Sequence, residues 1–429
     1  MKKLLLILLC LPMIGFGQGW EKTINNNDDD VGYSIQQTTD GGYIIGGRTQ
    51  GLPNASFAQG KAWLIKTDYQ GNTEWINDTY NNSGNHSSIN SVQQTLDGGY
   101  IAVGFLQSYI WLIKTNSLGD TLWTKLHTTP WGVIHKGTSV QQTLDGGYIM
   151  TGYSDTEICL IKTDFQGNVI WNTTLGQGQG KYVQQTLDGG YIVAGIVFSG
   201  VGINADAILI KTNSLGDTLW TKTYSTGIDI TNEYFSSVQQ TPDGGYILTC
   251  SFQDGYVSFC LIKTDSQGVE VWNQIYEGPN NDYARYGDLT NDGGYFIFGE
   301  TTSQWDHGNG GAGTQDFWLI KTNSLGDTLW TRIIGGPYWE RGFSAKQTTD
   351  GGYILVGLTS LGPAGYSDLY LVKLNSFGNI TSTNNISLDI EKRKIQRNID
   401  LLGRETKQTN QPLFYIYDDG TVEKRIVIE

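Results

Sequence analysis

The stretch QGWEKT, residues 18–23, is the end of a repeat whose beginning lies at the other end of the chain. The complete unit reads LIKTNSLGDTLWTK at 112–125, again at 209–222, and at 319–332 with Arg for the final Lys. Alignment on it gives seven copies. DGGY starts at Asp40, Asp97, Asp145, Asp188, Asp243, Asp292 and Asp350. The Lys of LIKT falls at Lys66, Lys114, Lys162, Lys211, Lys263 and Lys321, with Lys373 in a variant LVKL. A Trp follows nine residues later at Trp75, Trp123, Trp171, Trp220, Trp272 and Trp330. The ninth residue after Lys373 is Ser382, so the seventh copy lacks its Trp. Trp20-Glu21-Lys22-Thr23 matches LWTK and supplies it.

Each copy holds four runs of strand character. In the second copy they are SVQQT, YIAVG, YIWLIKT and TLWTKL. They are short, rich in β-branched and aromatic residues, and separated by Gly, Asp and Asn turns. TLDGGY reads as a tight hairpin whose Asp-Gly supplies positive φ, and NSLGD as a longer turn with its Gly in the left-handed region. Four antiparallel strands at a spacing of 43 to 58 residues describe a propeller blade. An open array would want polar capping repeats at its ends. A displaced fourth strand instead pairs first strand with last blade and removes an exposed edge. The expected fold is all-β, a seven-bladed β-propeller over 18–380 closed by the N-terminal strand.

Chain direction sorts the loops of such a meander. The turns after strands one and three share one end and are nearly constant: DGG and SLGD or QGN. The loop after strand two and the link to the next blade share the other end, and they vary widely. Recognition usually sits on variable loops carried by a rigid scaffold. Aromatics collect there, and Trp131, Tyr234, Tyr283, Trp305, Tyr338 and Trp339 are the candidate ligand contacts, with Arg285 and Arg341 expected to rim the central opening. Exposed rings beside guanidinium groups suit sugars or peptide side chains. The Lys present in every copy is read as scaffold, its amine reaching a blade carboxylate or carbonyl. The QQT glutamines are expected to pair between strands.

Little points to catalysis. No HExxH, paired-Cys spacing or G-x-S-x-G occurs, and HGNGGAGTQD, from His307, lacks the ending of a phosphate loop. His86, His127, His135 and His307 are scattered, so no metal, cofactor or catalytic residue is assigned. Asp28, Asp29 and Asp30 have the oxygens calcium takes, but three consecutive acids without further ligand spacing read as a solvated run. Asp-Thr-Leu at Asp120, Asp217 and Asp327 reads as turn closure followed by a strand; it also resembles the O-glycosylation signal of exported Bacteroidota proteins, with Thr121, Thr218 and Thr328 as acceptors.

The formal net charge is −14, and the segment after residue 380 is balanced, so the acidity belongs to the repeats. Such a surface repels polyanions and excludes nucleic acid as a natural partner. The first residues, MKK followed by an apolar run too short to span a bilayer and then GFGQ, read as a secretory signal peptide over 1–17. Cys159, Cys250 and Cys260 would remain, an odd and sparse set read as small strand hydrophobes, with a Cys250–Cys260 bridge the less favoured alternative.

TSTNNIS at 381–387 reads as a linker. Beyond it, DLLGRE and then PLFYIYDDGTVEKRIVIE at the end of the sequence resemble the type A sorting domain of the type IX secretion system, covering 388–429. The motif falls on Leu402, Gly403, Arg404, Asp419, Gly420 and Lys424. The resemblance implies Bacteroidota, a small β-rich unit, and the secretion machinery as partner. It also implies export through the periplasm to the outer-membrane surface or the medium, then tail removal with release or attachment to surface lipopolysaccharide. The repeats resemble a broad class of secreted DGGYI…LIKTD…GN…W propellers, which supports the fold and leaves the ligand open. The functional expectation is a non-enzymatic secreted or cell-surface propeller that binds a glycan or protein ligand through its variable face. The alternatives are a glycan-active hydrolase or lyase using carboxylates there, and a structural adhesion or matrix protein.

Overall fold

The computed structural model describes residues 19–25, 29–50, 60–78, 80, 86–128, 135–198, 205–224, 234–254, 256–278, 280–303, 314–336, 338–360 and 367–380, together with the backbone of three strands beyond residue 394. The chain divides into two compact units, Met1–Ile380 and Thr381–Glu429.

The first unit is a seven-bladed β-propeller. Blades one to six are four-stranded antiparallel meanders in chain order, at 30–77, 87–127, 135–177, 179–224, 234–276 and 282–334. Blade seven takes three strands from 340–374, and its fourth is Trp20–Ile24. That strand pairs antiparallel with Ser367–Leu374, Trp20 facing Lys373 and Ile24 facing Leu369. The ring is therefore closed by the segment the repeat lacked.

Strands two and three of each blade carry near-continuous apolar runs because neighbouring blades cover both their faces. Seven buried clusters result, one in each interface between adjacent blades. The repeated Trp belongs to these interfaces. Trp75 packs on Tyr100 of the next blade, ring centroids 5.9 Å apart. A Cβ on Gly119 would lie 2.7 Å from the same Trp75 ring, so the turn glycine is needed for contact as well as for its φ of 82°. Trp20 repeats the arrangement on Tyr43 and Gly71 and completes the circle.

The repeated Lys is a scaffold part. In blade four, Lys211 Nζ lies 2.9 Å from the Asp188 carboxylate and donates to the Thr212 carbonyl at 2.8 Å. Asp188 also accepts from the Thr186 hydroxyl at 2.5 Å and the Gly190 amide at 3.0 Å. One aspartate thus closes the hairpin between strands one and two and clips strand three to it. A Cβ on Gly190 would lie 2.6 Å from Lys211 Nζ, which explains the second glycine of DGG. Only the first glycine has positive φ; the aspartate does not.

The QQT glutamines pair innermost strands of neighbouring blades through their side-chain oxygens, and the second glutamine also donates its amide to its own hairpin, as Gln37 does to the Gly41 carbonyl at 3.3 Å. The second glutamine accepts from the hairpin backbone of the preceding blade: Thr39 to Gln94, Leu96 to Gln142, Leu144 to Gln185, Leu187 to Gln240, Asn291 to Gln347 and Thr349 to Gln37, at 2.8–2.9 Å. The seventh junction, blade five to six, has Pro242 where the donor would be and Leu289 where the acceptor would be. Donor and acceptor are lost together.

Two further expectations need correction. Cys250 and Cys260 face each other on strands two and three of blade five, Cα atoms 4.9 Å apart, and are joined in a disulfide. Asp30 is fully buried and opens blade one, and Asp29 accepts from the Ser367 amide at 2.8 Å, so this part of the acidic run is built into the closure. Asp28 lies outside the described residues. The second unit has strands Ile395–Ile399, Pro412–Tyr417 and Val422–Ile426 in one antiparallel sheet, with Phe414 facing Lys424. Leu402, Gly403, Arg404, Asp419 and Gly420 lie outside the described residues.

Candidate ligand-binding site

The innermost strand of every blade carries a β-bulge at the same place. The pairing register slips at Tyr33, Asn90, Thr138, Lys181, Ser236, Arg285 and Phe343. A bulge leaves one residue unpaired and re-aims its side chain. In four blades the preceding residue is Gly: Gly32, Gly137, Gly180 and Gly342. The bulge falls in the half of the strand that enters from the variable link. Six of the seven bulge residues, all but Thr138, line one cavity of about 510 Å³ at that mouth, joined by Ile196 and Phe235. The residue after the bulge is Ser in five blades, whereas the bulge residue itself differs in every blade.

The cavity wall has two characters. Tyr33 and Phe343 sit edge to face, centroids 5.1 Å apart, on blades one and seven. Asn90 and Ser236 donate to the next blade, at 2.7 Å to the Gly137 carbonyl and 2.6 Å to the Ala284 carbonyl. The charged lining is cationic. Arg285 donates through Nε to both Glu300 oxygens at 3.1 Å and stacks on Tyr283, guanidinium carbon 5.6 Å from the ring centre. Glu300 is fully buried, and Arg341 Nε lies 3.9 Å from it. Lys181 Nζ donates to Gln179 at 2.8 Å and lies 5.7 Å from the Tyr153 ring centre. Burial, with Arg285 and Lys136 nearby, brings the Lys181 ammonium down to about 8.

The strands are polar below this cavity. Deeper in the strands lies a second cavity of about 180 Å³, lined by serines and glutamines of blades one to three, by Tyr182 and by Tyr286. Gln239 donates to the Tyr182 and Tyr286 hydroxyls at 3.0 and 3.2 Å, and Tyr286 donates to Asp288 at 2.8 Å. Lys346 joins the Tyr286 hydroxyl and lies 2.9 Å from Asp288. Burial holds the Tyr286 phenol well above its usual range, so it is a neutral donor.

Of the residues singled out from sequence, Tyr283, Arg285 and Arg341 come together around Glu300, and Arg285 lines the cavity. Tyr338 and Trp339 are 38% and 44% exposed on the link leading to Arg341. Tyr234 opens the innermost strand of blade five. Trp131 and Trp305 lie outside the described residues. Sequence reading missed Tyr33, Asn90, Lys181 and Phe343, although the Gly before three such positions marks a bulge in a strand. Among the described residues no carboxylate lines the cavity. Asp316 and Glu340 are buried and hydrogen-bonded to each other, and neither lines the cavity. Such contact leaves no room for the water or sugar that glycosidase carboxylates flank. Among the described residues no three His, Cys, Asp or Glu side chains cluster as metal ligands.

No protein-family model matches the sequence, and no curated protein matches it. Solved structures do share the architecture. The Raptor protein of Chaetomium thermophilum aligns at 9% identity and TM-score 0.51, over 82% of this chain and 29% of that one. A protein of unknown function from Dyadobacter fermentans aligns at 11% identity and TM-score 0.47, over 83% and 97%. One of unknown function from Bacteroides caccae aligns at 13% identity and TM-score 0.44, over 71% and 94%. At these identities the likeness concerns the propeller fold alone.

Proposed function

We propose that this propeller is an exported, non-enzymatic binding protein that takes a glycan or protein ligand at its variable face. The observation that carries the reading is the ring of bulges. A scaffold otherwise built from recurring parts carries seven unlike residues at one bulge, and six of them line a cavity of about 510 Å³. Concave sites with mixed apolar and polar lining are where ligands bind. Export rests on sequence: the leader at 1–17 and the tail at 388–429 support delivery by the type IX secretion system to the cell surface or the medium.

The test is binding of the full chain to arrays of polysaccharides and proteins, followed by Tyr33→Ala, Phe343→Ala and a combined Trp131→Ala, Trp339→Ala, Arg341→Ala variant. The reading expects a ligand whose affinity falls at least about tenfold in the cavity variants, the scale of one lost aromatic contact. Binding that survives all of them, in a folded protein by circular dichroism, would move the site away from this face.

A further inference from the structure

The charge at the mouth opposes the charge of the molecule. The chain carries −14 overall, yet the two charged residues lining the cavity are Lys181 and Arg285. Lys136 stands near enough to act on Lys181, and Arg285 and Arg341 both approach the buried Glu300. Among the described residues no carboxylate lines the cavity, so its charged wall is positive, in a pocket that excludes much of the water that would screen it. Burying ammonium and guanidinium groups together is unfavourable, and the depressed Lys181 records that cost. No scaffold contact requires the lysine there: the equivalent bulge position holds Tyr, Asn, Thr, Ser, Arg or Phe in the other blades.

We infer that the cup binds a carboxylate-bearing sugar, its carboxylate seated between Lys181 and Arg285 and its ring against Tyr33 and Phe343. This rests on the reading of the mouth as a ligand site and names the ligand's class. The aromatic pair supplies the surface that the apolar face of a pyranose needs, and Asn90 and Ser236 supply polar groups for hydroxyls. About 510 Å³ accommodates one or two pyranose rings. Below it the hydrogen-bonded Tyr182, Gln239 and Tyr286 line a second, smaller cavity with polar groups. An extended acidic peptide would lie across such a mouth with most of its length outside.

The probes are D-glucuronate, an α-1,4-linked tri-galacturonate, their neutral counterparts D-glucose and α-1,4-galactotriose, and N-acetylglutamate as the peptide-side acid. Calorimetry on the full chain should show the acidic sugars binding at least about tenfold tighter than the neutral ones, the value of one charge-assisted contact. Lys181→Gln should remove that preference, the affinities for acidic and neutral sugars converging to within about twofold of each other. Arg285→Gln should do the same, but it leaves Glu300 buried beside a neutral partner, so Lys181→Gln is the decisive variant. Equal binding of acidic and neutral sugars, both lost in Phe343→Ala, would overturn the anionic class and keep the face as a glycan site. N-acetylglutamate binding as tightly as glucuronate would overturn the sugar in favour of an acidic peptide. No binding of either acidic sugar at millimolar concentration overturns the inference, and the array result then decides whether the face itself stands.

Discussion

The two ends of each innermost strand face different problems. At the hairpin end, the second glutamine and the DGG turn recur blade after blade, and they tie neighbours together through backbone amides. At the link end, the residues differ in every blade, and a bulge turns them toward the axis. The carboxylates divide the same way. Hairpin aspartates are held low: at Asp188 partial burial works upward, but Lys211, Thr186 and the Gly190 amide outweigh it and bring it to about 2. Three buried carboxylates at the link end are held high: burial, with Asp316 adding to it against the Thr359 and Gly336 donors, lifts Glu340 to about 7. Burial likewise raises Asp282 and Asp368. The constant end gains stability from charge, and the variable end carries buried acids that favour the proton.

The sharpest way to break the ring is at its seam. Trp20 and Trp171 make the same packing, on Tyr43 and on Tyr191. Trp171 lies on a strand joined to its blade by a short turn, whereas Trp20 lies on a strand held to blade seven only by pairing. Trp171→Ala should cost about 2–3 kcal/mol, below the full value for a buried Trp because the ring is only partly buried. Trp20→Ala should cost more, because it also frees Trp20–Ile24. Hydrogen exchange should then show faster loss of protection at Leu369–Lys373 than in any other third strand. Equal effects of the two substitutions would mean that the seam is no weaker than a continuous blade.

The Lys–Asp clip should be asymmetric. The Lys211 side chain is 5% exposed and the Asp188 side chain 59%. Asp188→Ala leaves a buried ammonium and should cost about 2–3 kcal/mol, the low end for a broken buried pair because the partner side is open to water. Lys211→Met leaves a hydrated carboxylate and should cost about 1 kcal/mol, the value of the lost hydrogen bonds. Urea unfolding reads both, and the reverse order would show the lysine to be more hydrated than its surroundings indicate.

The link-end acids predict the opposite pH response. Glu340 in the folded protein keeps its proton up to about 7, while the unfolded chain releases it from about 4.5. The folded state therefore binds more protons between these values. Its contribution to stability is complete below about 4.5, and it is lost as pH rises toward 7. Glu340→Gln mimics the protonated side chain. It should raise the melting temperature by about 2–4 °C at pH 8 and change nothing at pH 4.5. A constant difference across that range would place the effect in packing and not in the proton.

How much of this was readable follows from where each feature lives. Seven copies, the displaced Trp20 strand and the scaffold role of the lysines are one-dimensional facts, since a repeat states its own spacing. The partner of each glutamine was not, because Gln94 and Thr39 meet only when two blades lie side by side. Asp30 looked solvated in a run of acids, and its burial depends on ring closure. Cys250 and Cys260 face each other only through a register set ten residues apart. The cup was hidden for the same reason: Tyr33, Lys181 and Phe343 belong to three blades, and a bulge has no composition beyond an occasional preceding glycine.

The smallest effect is the most specific. Six junctions of the ring share a glutamine–amide bond, and the blade five to six junction has neither partner. Pro242 fits the first corner of its hairpin, where φ near −65° is wanted and the amide is needed only for the next blade. Leu289 packs against the cluster between blades five and six. Pro242→Leu alone adds an amide with no acceptor, and Leu289→Gln alone loses apolar contact with no donor to meet. Each should destabilise by about 0.5–1 kcal/mol. Together they recreate the bond of the other junctions, so the double variant should be more stable than the sum of the two by about 1 kcal/mol. Strict additivity in that cycle would mean that the ring is held by its apolar interfaces alone and that the repeated glutamines only fill space.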